Sequence, residues 1–116
     1  MSRRILIVDD HAGFRASARR MLEAGGFDVV GEADDGAAAV DAAGALTPDV
    51  ILLDVQLPDA SGIDLAGQLS ANGGPAVVLT SSRPRDQLAP DLSSSGALGF
   101  IPKDELTASA IEELVA

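Results

Sequence analysis

Four groups of reactive residues in this chain stand directly behind short aliphatic runs. The run 5–8 is followed by Asp9 and Asp10, 50–53 by Asp54, 76–79 by Thr80 and Ser81, and 97–101 by Pro102 and Lys103. Three carboxylates brought within a few Å repel one another, and ionising all of them bare is unfavourable. A hard divalent cation removes the conflict. Oxygen donors with incomplete protein coordination suit Mg2+, which keeps several of its waters. Lys103 supplies a second positive charge. It is the only lysine, and the other seven basic residues are arginines. A compact ammonium serves as a point charge for a phosphoryl oxygen, in a space the wider guanidinium does not fit.

Each residue also has a plainer role. An Asp behind a strand is often a turn former or a helix cap. Thr80, Ser81 or Ser82 could cap the segment that follows, and a single surface lysine is usually just solvated. Four such strand ends in one chain are hard to explain as accident. Elsewhere the plainer role is preferred. Asp34 and Asp35 precede Gly36 and a helix, which reads as capping. Asp59 reads as a turn residue in Leu57-Pro58-Asp59-Ala60-Ser61-Gly62. His11, the only histidine, reads as solvent-facing or locally bonded, with metal ligation the minority reading.

Strands and helices must bring these groups together. The runs 5–8, 50–53, 76–79 and 97–101 are continuously apolar, as in strands covered on both faces. A fifth, weaker run spans 27–30 and continues through Gly31 to Ala33. Between them lie helical patterns. Phe14, Ala18, Met21 and Leu22 form one stripe, with Arg15, Arg19 and Arg20 off it, stopping at Gly25-Gly26. Residues 36–43 are alanine-rich. Leu65 and Leu69 mark a helix ending near Asn72-Gly73-Gly74. Ala110, Ile111, Leu114 and Val115 mark a last helix, which Thr107 could cap. Residues 83–96, with Pro90 between Leu88 and Leu92, read as a short, irregular helix. The order is β-α repeated five times, which implies an open parallel α/β sandwich with right-handed crossovers. In such sheets ligands bind beyond the carboxyl ends of the strands, where the four reactive groups fall.

Composition narrows the function. The chain has 116 residues, no cysteine, and 18 acidic against 8 basic residues, for a net charge of −10. One domain over residues 1–116 is expected. Disulfides and thiolate chemistry are excluded. The charge argues against direct nucleic-acid binding. An apolar content of 47% with three Phe and no Tyr or Trp implies an aliphatic core. No run approaches the roughly 20 residues of a membrane span, and the opening Met-Ser-Arg-Arg has no secretory pattern. The expected compartment is the cytoplasm. Neither a G-x-G-x-x-G turn nor a G-x-x-x-x-G-K-[ST] loop follows the first strand. The Asp-x-Asp of haloacid-dehalogenase phosphatases is absent too, since Asp9 and Asp10 are adjacent.

Four motifs closely resemble the receiver domain of two-component response regulators. They are Ile5-Leu-Ile-Val-Asp-Asp10, Asp54-Val-Gln-Leu-Pro58 with Gly62 four residues later, Leu79-Thr80-Ser81, and Gly99-Phe-Ile-Pro-Lys103. The resemblance implies a flavodoxin-like fold with strand order 2-1-3-4-5. It implies that Asp54 accepts a phosphoryl group from a histidine kinase, giving an acyl phosphate. Asp10, Asp54 and the Gln56 carbonyl would hold Mg2+, with Asp9 acting through water. Lys103 and Mg2+ would neutralise the transferring group. Thr80 would turn its hydroxyl onto the phosphoryl group, with the Ser81 amide donating too. Phe100 would move inward as Thr80 moves and so alter the surface formed by the segment 83–96, the fifth strand and the last helix. Gln56 and Ser82 would tune the lifetime of the phosphorylated form.

Lys103 followed by Asp104, where many receivers have proline, resembles the subfamily with helix-turn-helix DNA-binding outputs, as does Asp-Asp-His at the start. A trans 103–104 bond is expected there, because a cis bond without proline costs about 3 kcal/mol. The chain is either a piece of a larger regulator or a stand-alone receiver, and a homodimer is a further expectation. The main expectation is a phosphorylation-controlled switch that catalyses only its own phosphotransfer and dephosphorylation. The alternative is a pseudo-receiver acting as a phosphorylation-independent docking module.

Overall fold

The computed structural model describes residues 3–82 and 95–116. The irregular helix expected at 83–96 falls almost wholly outside the described residues. Five parallel strands form one sheet: β1 (Arg4–Val8), β2 (Asp28–Ala33), β3 (Val50–Asp54), β4 (Ala76–Ser81) and β5 (Gly99–Pro102). Their order is β2-β1-β3-β4-β5, as the resemblance implies. The described helices are α1 (Ala12–Ala24), α2 (Gly36–Leu46), α3 (Gly62–Ser70) and α4 (Ala108–Val115). The described peptide bonds are all trans, that between Lys103 and Asp104 included.

The unbroken aliphatic runs are explained by burial on both sides of the sheet. Alternate residues point to opposite faces. Leu6, Val8, Ile51, Leu53, Val77 and Leu79 join one apolar cluster with Ala39 of α2 and with Leu65 and Ala66 of α3. Ile5, Ile7, Val50, Leu52 and Val78 join the other with Ala18 and Leu22 of α1 and Ile111 of α4. β1 and β3, which carry the acids, lie side by side in the middle of the sheet.

β2 is the weakest strand in sequence, and its pairing shows why. Ile5 pairs with Val29 but Leu6 pairs with Gly31, so Val30 is an extra residue in the ladder. A bulge of this kind breaks the alternation that periodicity relies on. Gly31 also faces α2, where a Cβ would come within 2.6 Å of Leu46 Cδ1. β5 starts two residues later than its apolar run, although the Leu98 amide already donates to the Val77 carbonyl.

Two caps match the sequence reading. The Asp35 carboxylate accepts from the Ala38 amide at 2.7 Å, and the Thr107 hydroxyl accepts from the Ala110 amide at 3.0 Å. Asp59 does more than turn the chain. Its two oxygens accept from the Gly36 and Ala37 amides at 2.7 and 3.1 Å, so the loop after β3 caps the N-terminus of α2.

Candidate functional site

The first strand turns into α1 through the side chain of Asp9. Its Oδ1 accepts from the His11 amide at 2.8 Å, a local turn that frees α1 to start at Ala12. The Asp9 amide still donates to the Ala33 carbonyl, which extends the sheet by one bond. Asp54 does the same at the end of β3, where its Oδ1 accepts from the Gln56 amide at 3.1 Å. The loop then returns sharply. The Gly62 amide donates to the Val55 carbonyl at 2.7 Å, and a Cβ at Gly62 would run into the main chain of Asp54 and Val55. Glycine is therefore required four residues after Pro58 to let α3 start against the end of β3.

Lys103 follows β5 as the first residue of a 3-10 turn, Lys103–Glu105. Its Nζ lies 2.7 Å from Asp9 Oδ2 and 3.4 Å from Asp54 Oδ2. The same ammonium sits 4.3 Å from the centroid of the Phe14 ring. Ligand atoms of Asp9, Asp10, His11 and Asp54 all fall within 4.8 Å of one another. Asp9 and Asp54 are buried, Asp10 is open, and the His11 side chain is 69% exposed. His11 Nδ1 lies 3.1 Å from both Asp9 Oδ1 and Asp10 Oδ1, the local bonding expected of it.

The electrostatics follow from this packing. Burial raises the Asp9 carboxyl, but bonding to Lys103 and to the His11 amide more than offsets it and leaves Asp9 below the usual range. Burial raises Asp54 as well. There the Gln56 amide lowers it, the Asp9 charge adds to the rise, and the net displacement is upward. Burial disfavours the Lys103 cation, yet its two carboxylate partners hold its pKa above the ordinary value.

The residues fit a divalent cation. Three carboxylates cluster, and one ammonium pairs with two of them. Asp9 Oδ2 is buried and, despite its ion pair with Lys103, accepts no aligned hydrogen bond. An all-oxygen set with spare lone pairs and an exposed edge suits a hard ion that keeps part of its water.

Three comparisons bear on this arrangement. The profile described as "Response regulator receiver domain" matches residues 5–116. The chain belongs to the response regulator receiver family. A putative transcriptional regulator of Pseudomonas aeruginosa is 38% identical over 104 residues, which is 88% of this receiver and 50% of that protein. The virulence factors putative positive transcription regulator BvgA of Bordetella pertussis is 34% identical over 90% of the receiver and 51% of its own length. The chain thus spans about half the length of these curated relatives. The signal receiver domain of the putative response regulator NarL from Mycobacterium tuberculosis superposes with a TM-score of 0.89 at 34% identity, covering 98% of this chain and 96% of that one. The resemblance to response regulator receivers, read from four motifs, is borne out, as is the likeness to receivers of transcriptional regulators read from Lys103-Asp104 and Asp9-Asp10-His11.

In this receiver Asp9, Asp10, Asp54 and Lys103 meet as the motifs anticipate. Thr80 is the neighbour of Asp54 in the β3–β4 ladder and is fully buried. Its hydroxyl donates to the Ile101 carbonyl on β5 at 2.7 Å. Ser81 is buried beside Pro102 in the β4–β5 ladder, and Gln56 and Ser82 are exposed. Phe100 lies inside the core, in the same structure in which Thr80 is bonded to Ile101. A phenylalanine has no hydroxyl to reward an outward position. Sequence reasoning missed Phe14, read only as part of the apolar stripe of α1. It also missed Arg15, which donates to the Asp9 carbonyl at 2.6 Å and to Glu32 at 3.1 Å. No local pattern announces either contact, since both partners lie on other elements.

Proposed function

We propose that this receiver is a phosphorylation-controlled switch whose phosphoryl acceptor is Asp54. The observation that carries the reading is the position of its carboxylate. One oxygen is oriented by the Gln56 amide, and the other faces Lys103, with the Asp9 and Asp10 carboxylates within 4.8 Å. An Asp54 oxygen attacks the phosphorus of a phosphohistidine on a sensor kinase. The P–N bond breaks, the imidazole leaves, and an acyl phosphate remains. The upward displacement of Asp54 makes its oxygen more basic than an ordinary aspartate's. Lys103 neutralises charge on the phosphoryl oxygens, holding its proton firmly because both carboxylates favour the cation.

Asp10, Asp54 and the Gln56 carbonyl would hold Mg2+, with Asp9 engaged through water because Lys103 already occupies it. The bound ion would supply Lewis-acid neutralisation of the equatorial oxygens. The switch step is a change of partner for Thr80. Its hydroxyl leaves the Ile101 carbonyl and donates to the phosphoryl group, beside the Ser81 amide. That removes a β4–β5 tie next to Phe100, so the altered strand is the one that borders α4. Gln56 and Ser82, exposed near the site, govern water access and so the lifetime of the acyl phosphate.

The domain is then the substrate of its own phosphotransfer and dephosphorylation rather than an enzyme acting on a released substrate. The partners are a sensor histidine kinase and, by likeness to relatives named as transcriptional regulators, a DNA-binding output beyond this chain, in the cytoplasm. Among the described residues no helix is long and apolar enough to cross a membrane. The test is intact mass after incubation with a small phosphodonor and Mg2+, followed by mapping. The parent should gain one phosphoryl group at Asp54 and the Asp54→Asn variant none. Undiminished labelling of that variant would overturn the assignment.

A further inference from the structure

Lys103 carries its charge on a flexible four-carbon stem, which loses much rotamer freedom when it is held in one place. Two carboxylates hold it here, Asp9 at 2.7 Å and Asp54 at 3.4 Å. In the reading proposed above, one of these carboxylates becomes the acyl phosphate, so the bonding of Lys103 must be exchanged during the reaction. The third close neighbour need not change. The ammonium lies 4.3 Å from the centroid of the Phe14 ring. An aromatic face attracts a cation through its quadrupole and leaves the N–H groups free for oxygen acceptors. The placement of that ring is itself fixed. Phe14 packs against the apolar cluster shared by α1 and α4. The next residue, Arg15, ties the first turns of α1 to the Asp9 carbonyl at 2.6 Å and to Glu32 on β2 at 3.1 Å. Glu32 is gripped again by Arg19 at 2.8 Å. The ring is thus registered against the strand end that carries the acids.

We propose that Phe14 is a positioning residue for phosphoryl transfer: its ring face keeps the Lys103 ammonium at the acid cluster while that ammonium passes from carboxylate to phosphoryl oxygen. The inference rests on the reading of Asp54 as acceptor. It acts through Lys103, and the ring itself touches no reacting atom.

The test uses the fact that Lys103 is the only lysine, so isotope-labelled lysine gives one set of side-chain NMR signals. In the parent and in Phe14→Tyr the protons next to Nζ should be displaced by the ring. In Phe14→Leu, which keeps an apolar side chain of similar bulk, they should sit at their ordinary position. With a sub-saturating small phosphodonor and saturating Mg2+, Phe14→Leu should be phosphorylated about three- to tenfold more slowly. Phe14→Tyr should restore the parent rate, and Mg2+ affinity should be the same in all three proteins. A purely structural role predicts no rescue that follows the ring. Lys103 signals that ignore the loss of the ring, or a Phe14→Leu variant labelled at the parent rate, would overturn the proposal. A parent that takes no label would sink the acceptor reading together with this one, and is told apart because in the first two outcomes the parent is labelled normally.

Discussion

Burial lifts the Asp54 carboxyl above the ordinary aspartate value of 3.8, the Gln56 amide pulls it down, and the Asp9 charge pushes it up again. Asp9, equally surrounded by protein, goes the other way because Lys103 and the His11 amide bond its ionised form. The two carboxylates therefore act on stability with opposite signs. A folded-state pKa above the unfolded one costs stability wherever the group is ionised in the fold, and that cost vanishes below 3.8. A lowered one contributes stability above 3.8 that is lost as pH falls through the lowered value. In chelator at neutral pH, Asp54→Asn should raise the urea midpoint, since asparagine can still accept from the Gln56 amide. The gain should shrink as pH falls through the raised value towards 3.8. Asp9→Asn should lower the midpoint at neutral pH and have little effect in strong acid. Urea titrations across this range check both, and a common sign at neutral pH would contradict the account. These residues also show why their placement was legible. The turn-forming role and the place in the acid cluster coincide in each carboxylate: Oδ1 accepts from the amide two residues on, and Oδ2 faces Lys103.

Helix α2 depends on two carboxylates, only one of which its own sequence displays. Asp35 caps it locally, whereas Asp59 reaches its first amides from the loop behind β3. Those amides hold Asp59 below the usual carboxylate range. The stabilisation is thus present above 3.8 and lost as pH falls through the lowered value. Asp59→Ala should lower the urea midpoint with an unchanged slope, and Asp59→Asn should recover part of the loss by keeping an acceptor. Gly62 makes a sharper test of the same loop. Gly62→Ala places a methyl against the main chain of Asp54 and Val55, which cannot yield as a side-chain tip would. We expect a loss of about 1–3 kcal/mol in unfolding free energy, together with slower phosphorylation, because the displaced atoms carry Asp54, the proposed acceptor. Continuous aliphatic runs announced four strands, and one apolar stripe announced α1. The β2 bulge at Val30, the Asp59 cap and the contacts of Phe14 and Arg15 escaped notice, because their partners are brought close only by the finished sheet.

The acids, hydroxyl and ammonium assemble only when β1, β3, β4 and β5 stand side by side, so the proposed cation site is a property of the folded molecule. The unfolded chain has the same carboxylates but does not hold them within 4.8 Å. Mg2+ should therefore stabilise the fold by mass action, by about 2.7 kcal/mol at a hundred times its dissociation constant. The field of the whole molecule adds to this. With 18 acidic and 8 basic residues the net charge is −10, carried on a body only 34 × 29 × 27 Å in extent. A divalent cation is drawn to such a surface, and salt screens the attraction as the Debye length contracts from about 30 Å at 0.01 M to about 8 Å at 0.15 M. Mg2+ affinity should fall over that range. The gain in unfolding free energy at a fixed multiple of the dissociation constant should not, since it depends on their ratio alone. At the Mg2+ concentration that stabilises the parent, Asp10→Asn, which removes an open carboxylate from the cluster, should lose most of the gain while leaving the chelator midpoint near that of the parent. Calorimetric unfolding with and without Mg2+ at two salt concentrations measures all three quantities. A Mg2+ stabilisation that survives intact in Asp10→Asn would move the ion elsewhere on this acidic surface and separate it from the acceptor.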